Sequence, residues 1–275
     1  MLNVAVIQMV SGASVDSNLE HANKLLETAK AGGAELAVLP ENFLVLGQKQ
    51  KPDLDLQKQI LQTLGGIARE LDMWIVAGTL PINAPNLHSA AATHEASHLP
   101  YAASVVFNNK GETVGEYLKV HLFDASVADE SKVYRESDDF APGHQAKVFS
   151  TPWQEMGVAV CYDLRFPEIF TKMTQSGARF VCVPSAFTQV TGAAHWEVLL
   201  RARAIENQCF IFAANQGGRH YNGRETYGHS MIVSPWGDVL SHLKKGEGVI
   251  VESIDLSFID RVREAMPIGE HRRLI

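Results

Sequence analysis

Two β-sheets packed against each other, with helices on the outside, are what the sequence predicts, and three observations carry that α/β expectation. Short β-rich apolar runs alternate with helical patterns in each half of the chain. The strands of both halves are apolar on both faces, so both faces must be covered. Between the halves lies an antiparallel hairpin pattern that a single doubly wound sheet would not need. At 275 residues the chain has room for one large domain or two small ones. No linker, low-complexity tract or fixed-period repeat divides it, so one domain over 1–275 is expected.

The first run, LNVAVIQM (2–9), reads as a buried strand. The start MLNVAVIQMV has no positive leader and no small-residue cleavage site, so it reads as that strand and not as a signal peptide. Asp16 to Ala31 reads as a helix, with Leu19, Ala22, Leu25, Leu26 and Ala29 along one stripe. Asp16 or Ser17 is its expected cap and Gly32-Gly33 its end. ELAVLP (35–40) is a strand stopped by Pro40, a second helix spans roughly 53–71, and WIVAGTL (74–80) is the third strand.

SVVFN (104–108), the turn Asn109-Lys110-Gly111 and ETVGEYLKV (112–120) make the hairpin. The alternation then resumes with a strand GVAVC (157–161), a helix Phe166–Ser176, a strand RFVCVP (179–184), a helix His195–Glu206 and a strand CFIFAAN (209–215). HSMIVSPWG (229–237) and GVIVESIDL (248–256) look like a closing antiparallel pair.

Composition narrows the function. Hydrophobic residues at 46% and charged residues at 20% are an ordinary globular balance, against a disordered, collagen-like or coiled-coil chain. A net charge of −7 is a poor basis for neutralising phosphates, so no nucleic-acid partner is expected. No apolar run approaches the ~20 residues of a membrane span. The three cysteines, Cys161, Cys182 and Cys209, are too few and wrongly spaced for a disulfide framework or a zinc cage, and a reducing cytoplasm is their natural compartment.

Three reactive side chains fall at strand ends: Glu41 after AVLP, Lys119 after GEYL and Cys161 after GVAV. Ligands of open α/β sheets bind outside the carboxyl ends of the strands. A thiolate there is a nucleophile, and a neighbouring ammonium both favours it and holds an oxyanion. A carboxylate can take the thiol proton, hand it to a leaving amine and later activate water. Each residue alone has a plainer reading: Cys161 as a small core hydrophobe, Glu41 as a cap, Lys119 as a strand-edge charge. Their joint placement is the argument. Cys182 and Cys209 lie inside apolar strands and read as core.

A competing pattern is HExxH at His94, Glu95 and His98, the zinc-hydrolase signature. Its flanks, Pro85-Asn86 and Pro100, leave room for a short helix at most, and only Glu112 and Glu116 offer a third ligand. An exposed loop is the better reading. The loop GGRHYNGRETYG (217–228) is basic through Arg219, His220 and Arg224; it is either a solvated turn or the holder of a substrate carboxylate. In the helix HWEVLLRARAIEN, Glu197 and Arg201 are an i,i+4 pair, and Arg203 shares the apolar face with Trp196, Leu199 and Leu200, where it should be buried and paired.

VLPENF around Glu41, YLKVHLFD around Lys119 and GVAVCYDLRFPE around Cys161 resemble, in order and separation, the signatures of the nitrilase superfamily of carbon–nitrogen hydrolases. The resemblance runs from NVAVIQM to the MPIGEHRR tail. It implies a four-layer α-β-β-α sandwich, no cofactor and no metal. It makes Cys161 the nucleophile, Glu41 the general base, Lys119 the oxyanion-holding cation and the Tyr162 backbone N–H a second donor. It also implies a supporting role for Glu136 in VYRESDDF, orienting Lys119. PSAFTQVTGAAHWEVLLRARAIENQCF and GGRHYNGRETYGHSMIVSPWG are similar to the family branch that hydrolyses deaminated glutathione to 2-oxoglutarate and cysteinylglycine, a metabolite-repair reaction. The alternative branch is the omega-amidases, acting on 2-oxoglutaramate or 2-oxosuccinamate. Arg165, Arg219 and His220 are then the candidates for the substrate carboxylate, with Phe187, Thr191 and His195 lining the pocket. The resemblance further implies a homodimer built on Glu168–Ser176, His195–Glu206 and the tail after Met266.

Overall fold

The structure is a computed structural model that describes residues 1–47, 54–83, 99–129 and 133–274. Two six-stranded sheets face each other. The first contains β1 (Leu2–Gln8), β2 (Leu36–Val38), β3 (Trp74–Ile82), β4 (Tyr101–Phe107), β5 (Thr113–Leu118) and the late strand β14 (Gly248–Ile254), in the order β14-β1-β2-β3-β4-β5. A small hairpin follows β5, made of β6 (Asp124–Ser126) and β7 (Val133–Arg135). The second sheet contains β8 (Lys147–Ser150), β9 (Glu155–Val158), β10 (Phe180–Cys182), β11 (Phe210–Ala213), β12 (Met231–Val233) and β13 (Val239–His242), in the order β13-β12-β11-β10-β9-β8. Each sheet has a parallel centre, β1-β2-β3 and β9-β10-β11, with antiparallel strands on its flanks.

Helices α1 (Val15–Ala31) and α2 (Leu54–Glu70) cover the outer face of the first sheet; α3 (Pro167–Gln175) and α4 (Gln189–Asn207) cover the second. This is the four-layer α-β-β-α sandwich. The side-chain alternation of a strand explains it. In β1, Leu2, Val4 and Val6 join the core between the sheets, while Ala5 and Ile7 pack with Ala22 and Leu26 of α1 and Leu64 of α2. Strands apolar on both faces are thus buried on both faces. The last helices, α5 (Phe258–Ala265) and α6 (Ile268–His271), lead the chain back over α3 and α4, where Arg272 donates to Thr171 Oγ1 and to the Glu206 carbonyl, both at 2.8 Å.

Three expectations are corrected. The runs near 229–237 and 248–256 are not partners. β12 turns back on β13 in the second sheet, whereas β14 crosses to pair antiparallel with β1 in the first. Helix α4 begins at Gln189, six residues before His195, because the Thr188 side chain accepts the Thr191 N–H and caps it there. Helix α1 is capped by Ser14, whose hydroxyl accepts from Ser17 N–H, and not by Asp16 or Ser17. The Asn109–Gly111 hairpin is present, and Arg203 is buried as expected, donating to the Leu164 carbonyl at 3.0 Å and to Glu206 at 2.9 Å. Among the described residues no helix is long and apolar enough to cross a membrane.

Candidate active site

Three strand ends open onto one mouth. Beyond β2 the chain passes Pro40 to Glu41, and its course is fixed from several sides. Leu39 N–H donates to the Val76 carbonyl and Asn42 N–H to Thr79 Oγ1, while the Gln216 side chain donates to the Glu41 carbonyl at 3.0 Å. Gly78 sits opposite in a bulge of β3 with φ +42°; a Cβ there would stand 2.1 Å from the Pro40 carbonyl oxygen. Only glycine permits that approach. Lys119 directly follows β5 and its backbone N–H still donates to Ala102. Its side chain is 1% exposed.

Cys161 opens a 3-10 turn, Cys161–Arg165, with φ +47°, a left-handed conformation that a non-glycine residue adopts only when its surroundings hold it there. Asp163 is what holds it. That fully buried carboxylate accepts the Val160 N–H at 2.8 Å, the Tyr117 hydroxyl at 2.7 Å, the His121 N–H at 3.0 Å and contacts His121 Nδ1 at 2.7 Å. It therefore ties the turn carrying Cys161 to the segment carrying Lys119. The His121 ring is in turn stacked on Phe166, with centroids 3.7 Å apart.

At the centre Lys119 Nζ lies 2.7 Å from Glu41 Oε1 and 2.8 and 2.7 Å from the two oxygens of Glu136. Glu136 is fixed independently, accepting the Phe123 N–H at 2.6 Å. Burial alone would lower the lysine's affinity for its proton. The charges of Glu136, Glu41 and Cys161 overcome that and hold its pKa well above the ordinary lysine range. Burial, and then the Glu41 charge, push the Cys161 thiol well above its ordinary range, against Lys119 and the Ala186 N–H. The constellation is a thiol beside the Glu41 carboxyl group, a firmly held ammonium and the Glu136 carboxyl group, whose pKa burial pushes up against the pull of Lys119. Such a set can move a proton off sulfur and stabilise an oxyanion at the same place.

These groups line a cleft of about 240 Å³, together with Tyr162, Arg165, Phe187 and Thr191. Three other expected residues are elsewhere. His195 is exposed on α4 and contacts Arg165 Nη1 at 3.1 Å, one step behind the cleft. Arg219 is exposed and its backbone bridges Glu225. His220 is buried, with Nδ1 3.1 Å from the Ser11 carbonyl and Nε2 2.9 Å from Thr226 Oγ1, and burial holds its pKa below the ordinary value. It is a neutral structural residue of the loop. The basic residue of that loop that does reach the cleft is Arg224. Sequence reasoning named Arg224 only as one of the basic residues of that loop and put Arg219 and His220 forward for the substrate carboxylate, and it gave Asp163 no role. A polar residue two places past a strand-end cysteine is a signal for Asp163.

His94, Glu95 and His98 lie outside the described residues. Glu112 is an exposed partner of Asn108 at 2.7 Å. Glu116 is buried, which raises its pKa to about 7, and one of its oxygens has no hydrogen-bond partner. Among the described residues no group of three His, Cys, Asp or Glu side chains is placed to hold a metal ion.

A family profile described as "Carbon-nitrogen hydrolase" matches residues 3–264. A protein of Rattus norvegicus named deaminated glutathione amidase is 39% identical over 98% of this chain and 82% of its own length. Of solved structures, the NitFhit protein of C. elegans superposes with a TM-score of 0.86 at 36% identity, over 99% of this chain and 65% of that one. Saccharomyces cerevisiae Nit3, described as a member of branch 10 of the nitrilase superfamily, superposes at 0.84 with 29% identity, over 99% and 97%.

Proposed function

The chain belongs to the carbon–nitrogen hydrolase family, and from that premise we propose that it is a cysteine-dependent amidase whose substrate is deaminated glutathione. The observation that carries the chemistry is Lys119 Nζ held at 2.7 Å between Glu41 and Glu136 at the mouth where Cys161 sits. Glu41 takes the proton from Cys161 Sγ as the sulfur attacks the amide carbonyl carbon. The carbonyl oxygen gains the negative charge and is met by Lys119 Nζ–H and the backbone N–H of Tyr162. The latter lies in the first turn of the 3-10 segment, where N–H groups have no partner within the helix. The C–N bond breaks, Glu41 gives its proton to the departing amine, and a thioester remains. Glu41 then takes a proton from water, the hydroxide adds to the thioester, the C–S bond breaks and the thiol is restored. Glu136 keeps Lys119 aimed throughout.

The substrate reading is supported by relatives of this name at 35–39% identity over nearly the whole chain. Deaminated glutathione is glutathione with its glutamyl amine replaced by a ketone; hydrolysis yields 2-oxoglutarate and cysteinylglycine. Its 2-oxo acid carboxylate suits Arg165, the guanidinium in the same turn as the nucleophile, lying 5.3 Å from the Phe187 ring and 5.7 Å from the Tyr162 ring. Three free, buried cysteines suit a reducing compartment, the cytoplasm. A homodimer is supported by apolar side chains that α4 leaves exposed, Val198 at 68% and Ile205 at 44%, beside Trp236 at 55%.

The test is a coupled assay for released 2-oxoglutarate, with wild-type protein and Cys161→Ala each given deaminated glutathione and 2-oxoglutaramate. Preference for deaminated glutathione, lost in the variant, is expected. Preference for 2-oxoglutaramate would make the protein an omega-amidase with the same machinery. Full activity in Cys161→Ala would overturn the thiol mechanism.

A further inference from the structure

Two cations of the cleft, Arg135 and Arg224, have no task in the reaction above, and of the two Arg224 is the half-buried one. Arg224 lies on the loop between β11 and β12 and lines the cleft. Its guanidinium sits 4.9 Å from the centre of the Tyr134 ring. Its Nε–H is buried and meets no acceptor. Among the described residues no acidic side chain forms an ion pair with it. A guanidinium fork matches a carboxylate bidentately, and one left half-desolvated beside a cavity is prepared for an anionic guest.

The loop that carries it is fixed in place. Tyr221 Oη and Asn222 Nδ2 both donate to the Leu46 carbonyl, at 3.2 and 3.1 Å. Asn222 Oδ1 accepts the Arg224 N–H at 3.1 Å. Thr226 bridges Thr188, and Gln189 N–H donates to the Glu225 carbonyl at 3.1 Å, at the start of α4. The other two arginines of the cleft are differently placed. Arg165 contacts His195 and lies on the Tyr162–Phe187 wall. Arg135 is exposed to solvent on the small hairpin.

The proposed substrate carries two carboxylates, one on the 2-oxo acid half and one on the glycine of the leaving dipeptide. Of the three arginines that line the cleft, Arg135 is exposed, Arg165 lies beside the nucleophile, and Arg224 is the one whose Nε–H is buried without an acceptor. We infer that Arg224 determines specificity by binding the carboxylate of the leaving amine, so that the site selects amides bearing an anion on both sides of the scissile bond. This rests on the deaminated glutathione reading, and it extends that reading to the half of the substrate that departs.

The experiment compares deaminated glutathione with the same compound amidated at its glycine carboxylate, in wild-type protein, Arg224→Gln and Arg224→Lys. The readout is the ratio of kcat/KM for acid over amide within each protein, so a general loss of activity cancels. Wild-type protein should favour the acid by on the order of 10- to 100-fold, as a charge-assisted pair allows. The ratio should fall to near 1 in Arg224→Gln and lie between in Arg224→Lys. An unchanged ratio in either variant, or a wild-type ratio of 1 with good turnover, overturns the inference and leaves the substrate assignment standing. If Arg224→Gln does not fold, the Arg224→Lys ratio decides by itself. Absence of wild-type turnover on deaminated glutathione overturns the substrate assignment, and the inference with it.

Discussion

In the mechanism proposed above, Cys161 is a thiol with a base beside it and not a resting thiolate. Burial and the Glu41 charge raise its pKa, so at neutral pH the proton stays on sulfur until attack begins. Glu41→Gln separates acidity from catalysis. It removes one of the causes that raise the thiol pKa and leaves Lys119 in place, so thiolate absorbance should titrate at a lower pH than in wild-type protein. Hydrolysis should nevertheless fall by roughly 10²–10⁴-fold, the worth of a positioned general base. A thiol titrating at the wild-type pH or above would mean that the two groups are not coupled. At this scale the sequence was readable where strand ends mark positions: Glu41, Lys119 and Cys161 each follow an apolar strand, and they line one cleft. It was not readable within the basic loop. Arg219, His220 and Arg224 lie within six positions, and only the bridge between Arg219 and Glu225 sorts them into an exposed residue, a buried one and one that faces the cleft.

The elements place these side chains through close backbone contacts that composition does not reveal. The bulge in β3 puts Gly78 against Pro40, one residue before Glu41. Gly78→Ala adds a Cβ 2.1 Å from the Pro40 carbonyl oxygen at a left-handed φ. It should cost about 1–3 kcal/mol as overpacking, lower the melting midpoint by several degrees and reduce kcat by moving Glu41. Gly66→Ala is the control: in α2, with no neighbour within 4 Å of the added Cβ, it should be neutral or stabilising by roughly 0.5–1 kcal/mol. Equal melting midpoints for the two variants would contradict the close approach. The misread elements have similarly local causes. Val190, Thr191 and Gly192 before Ala193 are poor helix formers, and the Thr188 cap marks the start of α4 there. Strand alternation marked 229–237 and 248–256 as strands, but alternation does not specify partners. The partner of β14 is the amino-terminal strand β1, about 240 to 250 residues away in sequence.

For the whole molecule, apolar residues on both faces of both strand sets were enough to demand four layers, because each sheet must be covered twice. The same reasoning extends to the outside of the sandwich. Helix α4 packs Trp196, Leu200 and Ala204 inward and still exposes Val198 and Ile205. These two lie seven residues apart on one face, with Arg201 between them reaching the Gly237 carbonyl at 2.7 Å and Trp236 exposed beside it. Solvent does not favour such a stripe, and a second copy of the chain would cover it. The helix that would carry this interface also serves the site. It supplies Thr191 to the cleft, and Arg203 donates to the Leu164 carbonyl in the turn that begins at Cys161. Separation of the copies should therefore be felt at the nucleophile. Val198→Glu, a charge in place of the most exposed side chain of the stripe, should sediment at the 30.2 kDa mass of one chain while wild-type protein sediments at twice that. Its kcat should fall with its mass. A wild-type monomer at micromolar concentration would remove the dimer. A monomeric Val198→Glu with full kcat would keep the dimer and show that α4 holds the Cys161 turn without help from a partner.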